Sequence, residues 1–384
     1  MRSRIVIALI AVTAVAPPLG GPLSSARDAG EATASVGAEL LDPRERCNRA
    51  CRRERLLELR ESRPFARTSF WNARLADDAP LDEKSRDYVN RLRYLLGRWE
   101  PYVNTTRYST PVYTVPADQK TVRVELDNVH RDLQAAFERV PLPRRARPAA
   151  GTDGHLVVWQ PATDTMWEFW RMRRRADGWH AAYGGRMTNV SESPGHFRAI
   201  TTSRGRFLEH HRWGATATSL PLLGGLMRID ELKAGRIDHG LAIALPEIRA
   251  GVYSWPAQRT DGRSDHRNAI PQGARFRIDP ALDLSQIPMS PMVRMMAVAA
   301  QRYGIVVRDG AGAITFYAED PTSTRRNPFL GPNGLFGGRY ISEALRTFPW
   351  EHLQVLKTEL REDPDSDSGL GILPFKRGTA SGLP

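Results

Sequence analysis

Short runs rich in apolar and β-branched residues, some of which alternate with polar ones, recur between residues 109 and 318 and are typical of β-strands. Turn-forming Gly, Pro, Asp and Asn residues separate the runs, and Asp177-Gly178 predicts a β-hairpin. The predicted strands are residues 109–115, 121–126, 156–160, 165–172, 179–182, 241–245, 274–278, 305–308 and 314–318. Many short strands predict a mainly β fold, a jelly-roll-like β-sandwich with a few helices and a helical N-terminal segment.

Helical periodicity, with apolar residues three and four positions apart, is confined to short segments. The helical segments are residues 47–62, 82–97, 127–140, 229–234 and 291–303. Met289, Met292, Met295 and Met296 cluster around the last of these. We interpret them as core residues, because methionine fills irregular gaps between packed elements.

The N-terminus predicts export from the cytoplasm. A basic start is followed by an apolar run over residues 5–16, a Pro/Gly break and small residues that suit a signal peptidase. The run is too short to span a membrane, and no later segment is apolar enough to do so. The chain then divides into a signal peptide (1–26), a flexible, charged segment (27–62), a helical and strand accessory segment (63–148), a β-sandwich domain (149–363) and a loose tail (364–384).

Charge and cysteine content narrow the classes of partner. The net charge is +12, but only five of the 55 basic residues are lysines, and the arginine runs are not interleaved with stacking aromatics. We therefore expect no nucleic-acid partner. We expect a secreted, extracellular monomer with no membrane span after cleavage and no cofactor, acting on an extracellular glycan or cell-envelope polymer. The only cysteines, Cys47 and Cys51, predict one local disulfide.

The segment 164–170 is the leading candidate for chemistry. A period of two places Asp164, Met166, Glu168 and Trp170 on one face, with the core on the other. A carboxylate pair can act as nucleophile and acid, and a Trp can stack on a sugar ring. The face is loosely similar to the acidic strand of laminarinase-like glycosidases, although it has Asp and Met where their motif has Glu and Asp. The alternative is a half-exposed strand whose acids pair with neighbouring arginines.

Two further pairs are candidates. Asp153 and His155 lie two residues apart before a strand, so the carboxylate could orient the imidazole for acid–base work. Glu231 and His239 lie eight residues apart and could meet only through the fold. Each pair also has a structural interpretation, as a turn cap with a rim histidine or as a helix start. Trp170, Trp179 and Tyr183 are the predicted sugar-binding aromatics.

Several stretches resemble one family of exported bacterial proteins, common in actinobacteria. They are Asp153-Gly154-His155, residues 178–185, residues 213–226, residues 228–241 and residues 297–309. The core of the resemblance is the pattern R-x-D-E-x-x-x-G-x-I-x-H. The family follows that His with Ala, whereas this chain has Gly240, and Arg259 replaces a His that the family carries. The resemblance covers residues 150–357 and implies one exported, β-rich domain, with no activity attached to it.

Together these patterns predict a secreted carbohydrate-active protein, a glycoside hydrolase or a polysaccharide lyase. The alternative is a non-enzymatic glycan-binding or cell-envelope-associated module. The predicted catalytic residues are Asp153, His155, Asp164, Glu168, Glu231 and His239, with no metal ligand among them.

Overall fold

A computed structural model describes residues 63–127, 131–197, 199–201, 207–324 and 326–363 of the chain. The predicted signal peptide, the segment 27–62, the disulfide between Cys47 and Cys51 and the tail 364–384 lie outside the described residues. In the part that is described, none of the helices combines the length and apolar character that crossing a membrane requires.

The fold is mainly β, with mixed sheets and a few helices. The strands are β1 (Pro101–Asn104), β2 (Val112–Thr114), β3 (Val124–Leu126), β4 (Leu156–Gln160), β5 (Thr165–Trp170), β6 (Arg173–Arg175), β7 (Gly178–Ala181), β8 (Tyr183–Thr188), β9 (Ala199–Thr201), β10 (Phe207–Arg212), β11 (Leu241–Leu245), β12 (Val252–Ser254), β13 (Arg275–Ile278), β14 (Ile305–Gly310), β15 (Ile314–Tyr317), β16 (Leu353–Val355) and β17 (Leu360–Glu362). The α-helices are α1 (Ser85–Leu96), α2 (Arg131–Gln134), α3 (Ile229–Lys233), α4 (Pro291–Tyr303) and α5 (Ile341–Leu345).

The two strongest helical predictions are confirmed. Helix α4 begins where Ser290 accepts a hydrogen bond from the amide of Val293 and Pro291 fills the first turn, and it ends at Gly304, whose φ is +85°. Helix α1 buries Tyr88, Leu92 and Leu95 on one face. Where the sequence predicts one helix over residues 127–140, the structure has the single turn α2 and a short 3₁₀ segment, Ala135–Phe137.

The strands form a six-stranded sheet (β1-β15-β11-β14-β13-β16), a four-stranded sheet (β2-β4-β5-β8), a three-stranded sheet (β3-β7-β6) and two strand pairs, β10-β9 and β12-β17. Four pairings are parallel: β1 with β15, β2 with β4, β3 with β7 and β11 with β14. Strands β1, β2 and β3 come from the predicted accessory segment, yet each pairs with a strand from the 149–363 segment. The sheets are therefore assembled from both segments.

Three apolar layers hold these sheets together. On β11, Leu241, Ile243 and Leu245 pack toward α1 and α4, while the alternate residues Ala242 and Ala244 face a second layer. That second layer also receives one face of the four-stranded sheet, and the opposite face of that sheet packs on the three-stranded sheet in a third layer. The four-stranded sheet is consequently covered on both sides.

Candidate functional site

Strand β5, which carries the leading sequence candidates, is buried on both faces. Met166 packs in the second layer, whereas Trp167 and Phe169 pack in the third. Glu168 is 0% exposed. The prediction that one face of this strand is half exposed is wrong, because β5 is a central strand between β4 and β8 and both of its faces meet a packed layer.

Glu168 projects into the second layer and binds backbone amides there. Its Oε1 accepts a hydrogen bond from the amide of Ala215 at 2.6 Å, and its Oε2 accepts one from Leu222 at 2.7 Å. Burial raises the pKa of Glu168 to about 7, although the two amides and Arg308 oppose the shift. Glu168 therefore anchors the loop over residues 213–226, here the 213–226 loop.

Two arginines hold the carbonyl groups of the same loop. Arg259 donates to the carbonyl oxygens of Ala217 and Thr216, at 3.0 and 2.7 Å, and Arg308 donates to those of Leu222 and Gly224, both at 2.9 Å. A buried loop has no sheet or helix neighbours to bind its carbonyl groups. The two guanidinium groups supply those hydrogen bonds instead. The 213–226 loop, one of the stretches that carry the resemblance, thus has a structural role between two sheets.

A glycine pair on β8 allows this loop to approach the sheet. Gly185 lies opposite Glu168 in the β5–β8 register. A Cβ on Gly185 would lie 2.7 Å from the ring of Phe197 and 3.0 Å from the amide of Gly214. A Cβ on Gly184 would lie 2.3 Å from the carbonyl oxygen of Glu168. Both positions therefore require glycine because of close approach rather than φ.

A β-bulge lies at Arg308 on β14. Ile243 of β11 pairs with Val307 and the next residue, Ala244, pairs with Asp309, so Arg308 is the extra residue. A bulge bends its strand and changes the direction in which side chains point. Arg308 is 1% exposed, and its guanidinium lies 4.3 Å from the ring centre of Tyr317 on β15. Its Nε has no hydrogen-bond partner among the described residues.

Asp309 follows the bulge directly, and Asp153 and Asp261 lie close enough for their charges to act on it; these three residues are here the acidic cluster. Asp309 is half-buried, and burial together with the negative charges of Asp261 and Asp153 raises its pKa to about 8, against the opposing charge of Arg308. A Cβ on Gly310 would lie only 3.7 Å from Oδ1 of Asp261, which places that carboxylate beside the end of β14. Gln272 donates to the same oxygen at 2.8 Å.

His155 is buried and lies close enough to Asp153 and Arg308 for their charges to act on it. The imidazole is 5% exposed, and its Nδ1 has no hydrogen-bond partner in the described part of the chain. Burial lowers the pKa of His155 to about 4, with Asp153 opposing the shift and Arg308 supporting it. The ring is therefore neutral near pH 7, and the backbone of Ala215 is its other partner. Asp153 and His155, paired by the sequence analysis, do share one electrostatic environment.

The acidic cluster places Asp309, whose pKa burial raises to about 8, beside the carboxyl groups of Asp153 and Asp261. An acid with a raised pKa next to other carboxyl groups is an arrangement that acid–base catalysis uses. Among the described residues, no three His, Cys, Asp or Glu side chains are placed to hold a metal ion. The arrangement can donate a proton from Asp309 and accept one at Asp153 or Asp261.

Glu231 and His239 meet, but elsewhere. His239 Nε2 lies 3.0 Å from Glu231 Oε1, and its Nδ1 lies 2.8 Å from the carbonyl oxygen of Gly240. Burial opposes protonation, but Glu231 outweighs it and raises the pKa of His239. Oε1 of Glu231 also accepts from the amide of Arg228 and so caps α3. The pair joins the start of α3 to the strand that follows.

The remaining candidates occupy other positions. Asp164 precedes β5 in a left-handed conformation (φ +50°), and its carboxylate accepts from the amide and hydroxyl of Ser191. Tyr183 is 7% exposed, with Arg259 over its ring. Trp170 and Trp179 are partly buried beneath Arg171 and Arg174 respectively. A guanidinium group already lies against each of these rings, so none of them is an open surface on which a sugar could stack.

Sequence reasoning did not select Asp309, Asp261, Arg308 or Tyr317. The available signal was Arg308-Asp309 at the end of the apolar run Ile305–Val307, since a charged pair that continues a buried strand needs partners. Those partners come from positions as distant as Asp153 and could be identified only in the folded chain.

The cluster makes a prediction about stability against pH. Glu168 and Asp309 have folded pKa values above those of the unfolded chain, so the stability they contribute is lost as pH rises through about 7 and 8. The pKa of His155 is lowered, so its titration changes stability in the opposite sense, but only between about pH 4 and 6.5.

We expect the free energy of unfolding to fall by on the order of 2 kcal/mol between pH 6.5 and 8. Urea titrations at both pH values check this, and Asp309→Asn should remove most of the fall, because the pKa of Asp309 lies at the top of this interval. An unchanged pH dependence in that variant would contradict the assignment.

Comparison of the chain with protein-family models, with curated proteins and with solved structures finds no match. The resemblance to the exported bacterial family stays a prediction. The functional argument therefore rests on the geometry of the acidic cluster and its surroundings.

Proposed function

We propose that this protein is a secreted glycoside hydrolase that works by acid–base catalysis at the acidic cluster. The observation that carries the proposal is the convergence of Asp153, Asp261 and Asp309 around the bulge at Arg308. Paired carboxyl groups, one protonated and one ionised, are the catalytic groups of most glycosidases. Asp309 is the proposed acid, and Asp153 or Asp261 is the proposed base or nucleophile. Glu168, the leading sequence candidate, has a structural role in this proposal.

Hydrolysis fits the site better than the elimination catalysed by a polysaccharide lyase. A lyase needs a base that removes a proton next to a uronate carboxylate. Burial and the nearby Asp309 raise the pKa of Tyr317, which makes its hydroxyl a poor base. The carboxylates of Asp153 and Asp261 would also disfavour an acidic sugar. We therefore propose a neutral polysaccharide as the substrate.

A second candidate function is glycan binding without catalysis. Trp255 is 40% exposed, and its indole packs edge-on against Phe70 with ring centroids 5.4 Å apart. An exposed, fixed indole is a surface on which a sugar ring can stack. This feature favours a binding module if the acidic cluster proves inert.

Three features stay predictions: the jelly-roll order of the strands, the extracellular location and the monomeric state. The proposed chemistry does not depend on the strand order.

The proposal is tested by incubating the protein with neutral and acidic polysaccharides. We expect new reducing ends from a neutral polysaccharide and no absorbance from unsaturated uronates. Asp153→Asn should lower this activity at least tenfold, because it removes one carboxylate of the cluster. Asp265→Asn, a change at an exposed carboxylate, is the matched control and should behave as wild type.

Other outcomes would replace the proposal. Unsaturated products would indicate a lyase. Retardation in a polysaccharide gel without any release of reducing ends would establish the binding module, and Trp255→Ala should then abolish the retardation.

A further inference from the structure

A groove with a volume of 1130 Å³ runs along one face of α4 and shares no residue with the acidic cluster. Its apolar lining comes from α4 and from the segment before α5, and includes Met289, Met292, Met295, Val298, Leu335 and Phe336. Met292 is in the core, whereas Met289, Met295 and Val298 are only partly covered. The volume is slightly above the usual range for small-molecule sites, which is about 300–1,000 Å³.

The lining has a distinct charge pattern. Of its four arginines, Arg236 pairs with Asp238 at 3.2 Å, and Arg294 donates to the carbonyl oxygens of Leu284 and Ile287. Arg302 and Arg339 are exposed and form no ion pair or side-chain hydrogen bond with any described residue. One acid of the lining, Glu343, is likewise without an ion-pair partner. The groove therefore offers two unpaired cationic groups beside an apolar channel.

We propose that this groove binds a monomeric long-chain carboxylate, a fatty-acid-like amphiphile. Its alkyl chain would lie against Met289, Met295 and Val298, and its carboxylate would be bound by Arg302 and Arg339. Methionine side chains suit this role because they are flexible and adapt to chains of different shape. The chemistry of the lining selects the ligand: apolar surface binds the tail, and unpaired guanidinium groups bind an anionic head.

The segment after residue 326, which forms one wall of the groove, also exposes large apolar side chains. Leu330 and Tyr340, in the same segment as Leu335 and Phe336, are 69% and 83% exposed. Neither residue lines the groove itself, but both are close in sequence to residues that do, and exposed large apolar side chains near a groove add to its apolar surface. This inference is independent of the proposed hydrolase activity, because it concerns separate residues and needs no catalysis.

Isothermal titration calorimetry with laurate, below its micellar concentration, tests the proposal. We expect saturable binding with one site per chain. Octanoate, which lacks four methylenes, should bind at least ten times more weakly, since each buried methylene contributes about fourfold. Dodecyltrimethylammonium has a tail of the same length and the opposite charge, and it should bind more weakly than laurate.

Charge variants at exposed positions make the test independent of folding. Arg302→Gln with Arg339→Gln should weaken laurate binding roughly tenfold, at about threefold for each exposed charge. Glu343→Gln should strengthen it about twofold, because it removes an opposing charge. Lysine at both arginine positions should retain most of the affinity, and Arg144→Gln, at an exposed position outside the groove, should retain all of it.

Three results would overturn the proposal. The first is no saturable heat with laurate, and the second is equal affinity for the cationic amphiphile. The third is sedimentation with phosphatidylglycerol vesicles without binding of monomeric laurate, which would identify a membrane surface as the ligand. Because none of these measurements uses polysaccharide, failure here is distinguishable from failure of the proposed hydrolase activity.

Discussion

Glu168→Ala should lower the free energy of unfolding by about 3–5 kcal/mol, measured by urea denaturation at pH 6. The substitution leaves the amides of Ala215 and Leu222 buried without an acceptor, at about 1–3 kcal/mol each. It also leaves a cavity between the two sheets, which adds to the loss. In a thermal scan the change corresponds to a decrease in Tm on the order of 10 °C.

Glu168→Gln separates structural from catalytic roles. The carboxamide has one oxygen and one NH₂ group, so one of the two amides would face a donor instead of an acceptor. We expect a loss of about 1–3 kcal/mol. Glu83→Gln, at an exposed residue, is the matched control and should stay within about 0.5 kcal/mol of wild type. Wild-type stability combined with loss of polysaccharide cleavage would instead identify Glu168 as catalytic, as the sequence predicted.

Asp309→Asn should lower kcat on the cleaved polysaccharide by about 10²–10⁴-fold, the usual contribution of a general acid. The physical reason is its raised pKa of about 8, which keeps the proton available for the leaving group near neutral pH. In wild type, kcat/KM should therefore fall as pH rises through about 8, because Asp309 loses that proton.

The alkaline fall in kcat/KM should be absent from whatever activity Asp309→Asn retains. Asp265→Asn should keep both the rate and the pH profile of wild type. Urea denaturation of Asp309→Asn at pH 7 verifies that the lost rate is not lost structure. Full activity in this variant would exclude Asp309 as the general acid. Asp261 and Asp153 would then be the remaining candidates for that role.

The position of Glu168 illustrates how far the strand pattern could be interpreted. Alternation correctly placed Met166 and Glu168 on one face and Trp167 and Phe169 on the other. It could not show that both faces are covered, because a strand buried on two sides and a strand with one wet face differ in their neighbours rather than in their period. The charged side chain was assigned to solvent, whereas two amides from the 213–226 loop bind it.

The acidic cluster shows the same limit at longer range. The sequence pattern pairs Asp153 with His155 because they lie two residues apart before a strand. Asp261 and Asp309 are about 108 and 156 positions beyond Asp153, and only the packing of two sheets brings them close. The bulge at Arg308 was equally hidden, since it arises from a mismatch with β11 and not from any residue of β14 alone.

The sequence by itself determined the local elements. Short apolar runs bounded by turn residues located β4 and β11, and the Ser290–Pro291 start with Gly304 at the end located α4, because these signals depend on neighbouring residues. Only the tertiary structure decided which strands pair in parallel, which faces are buried and which carboxylates meet. Those outcomes depend on contacts between residues far apart in the chain, and no local pattern encodes them.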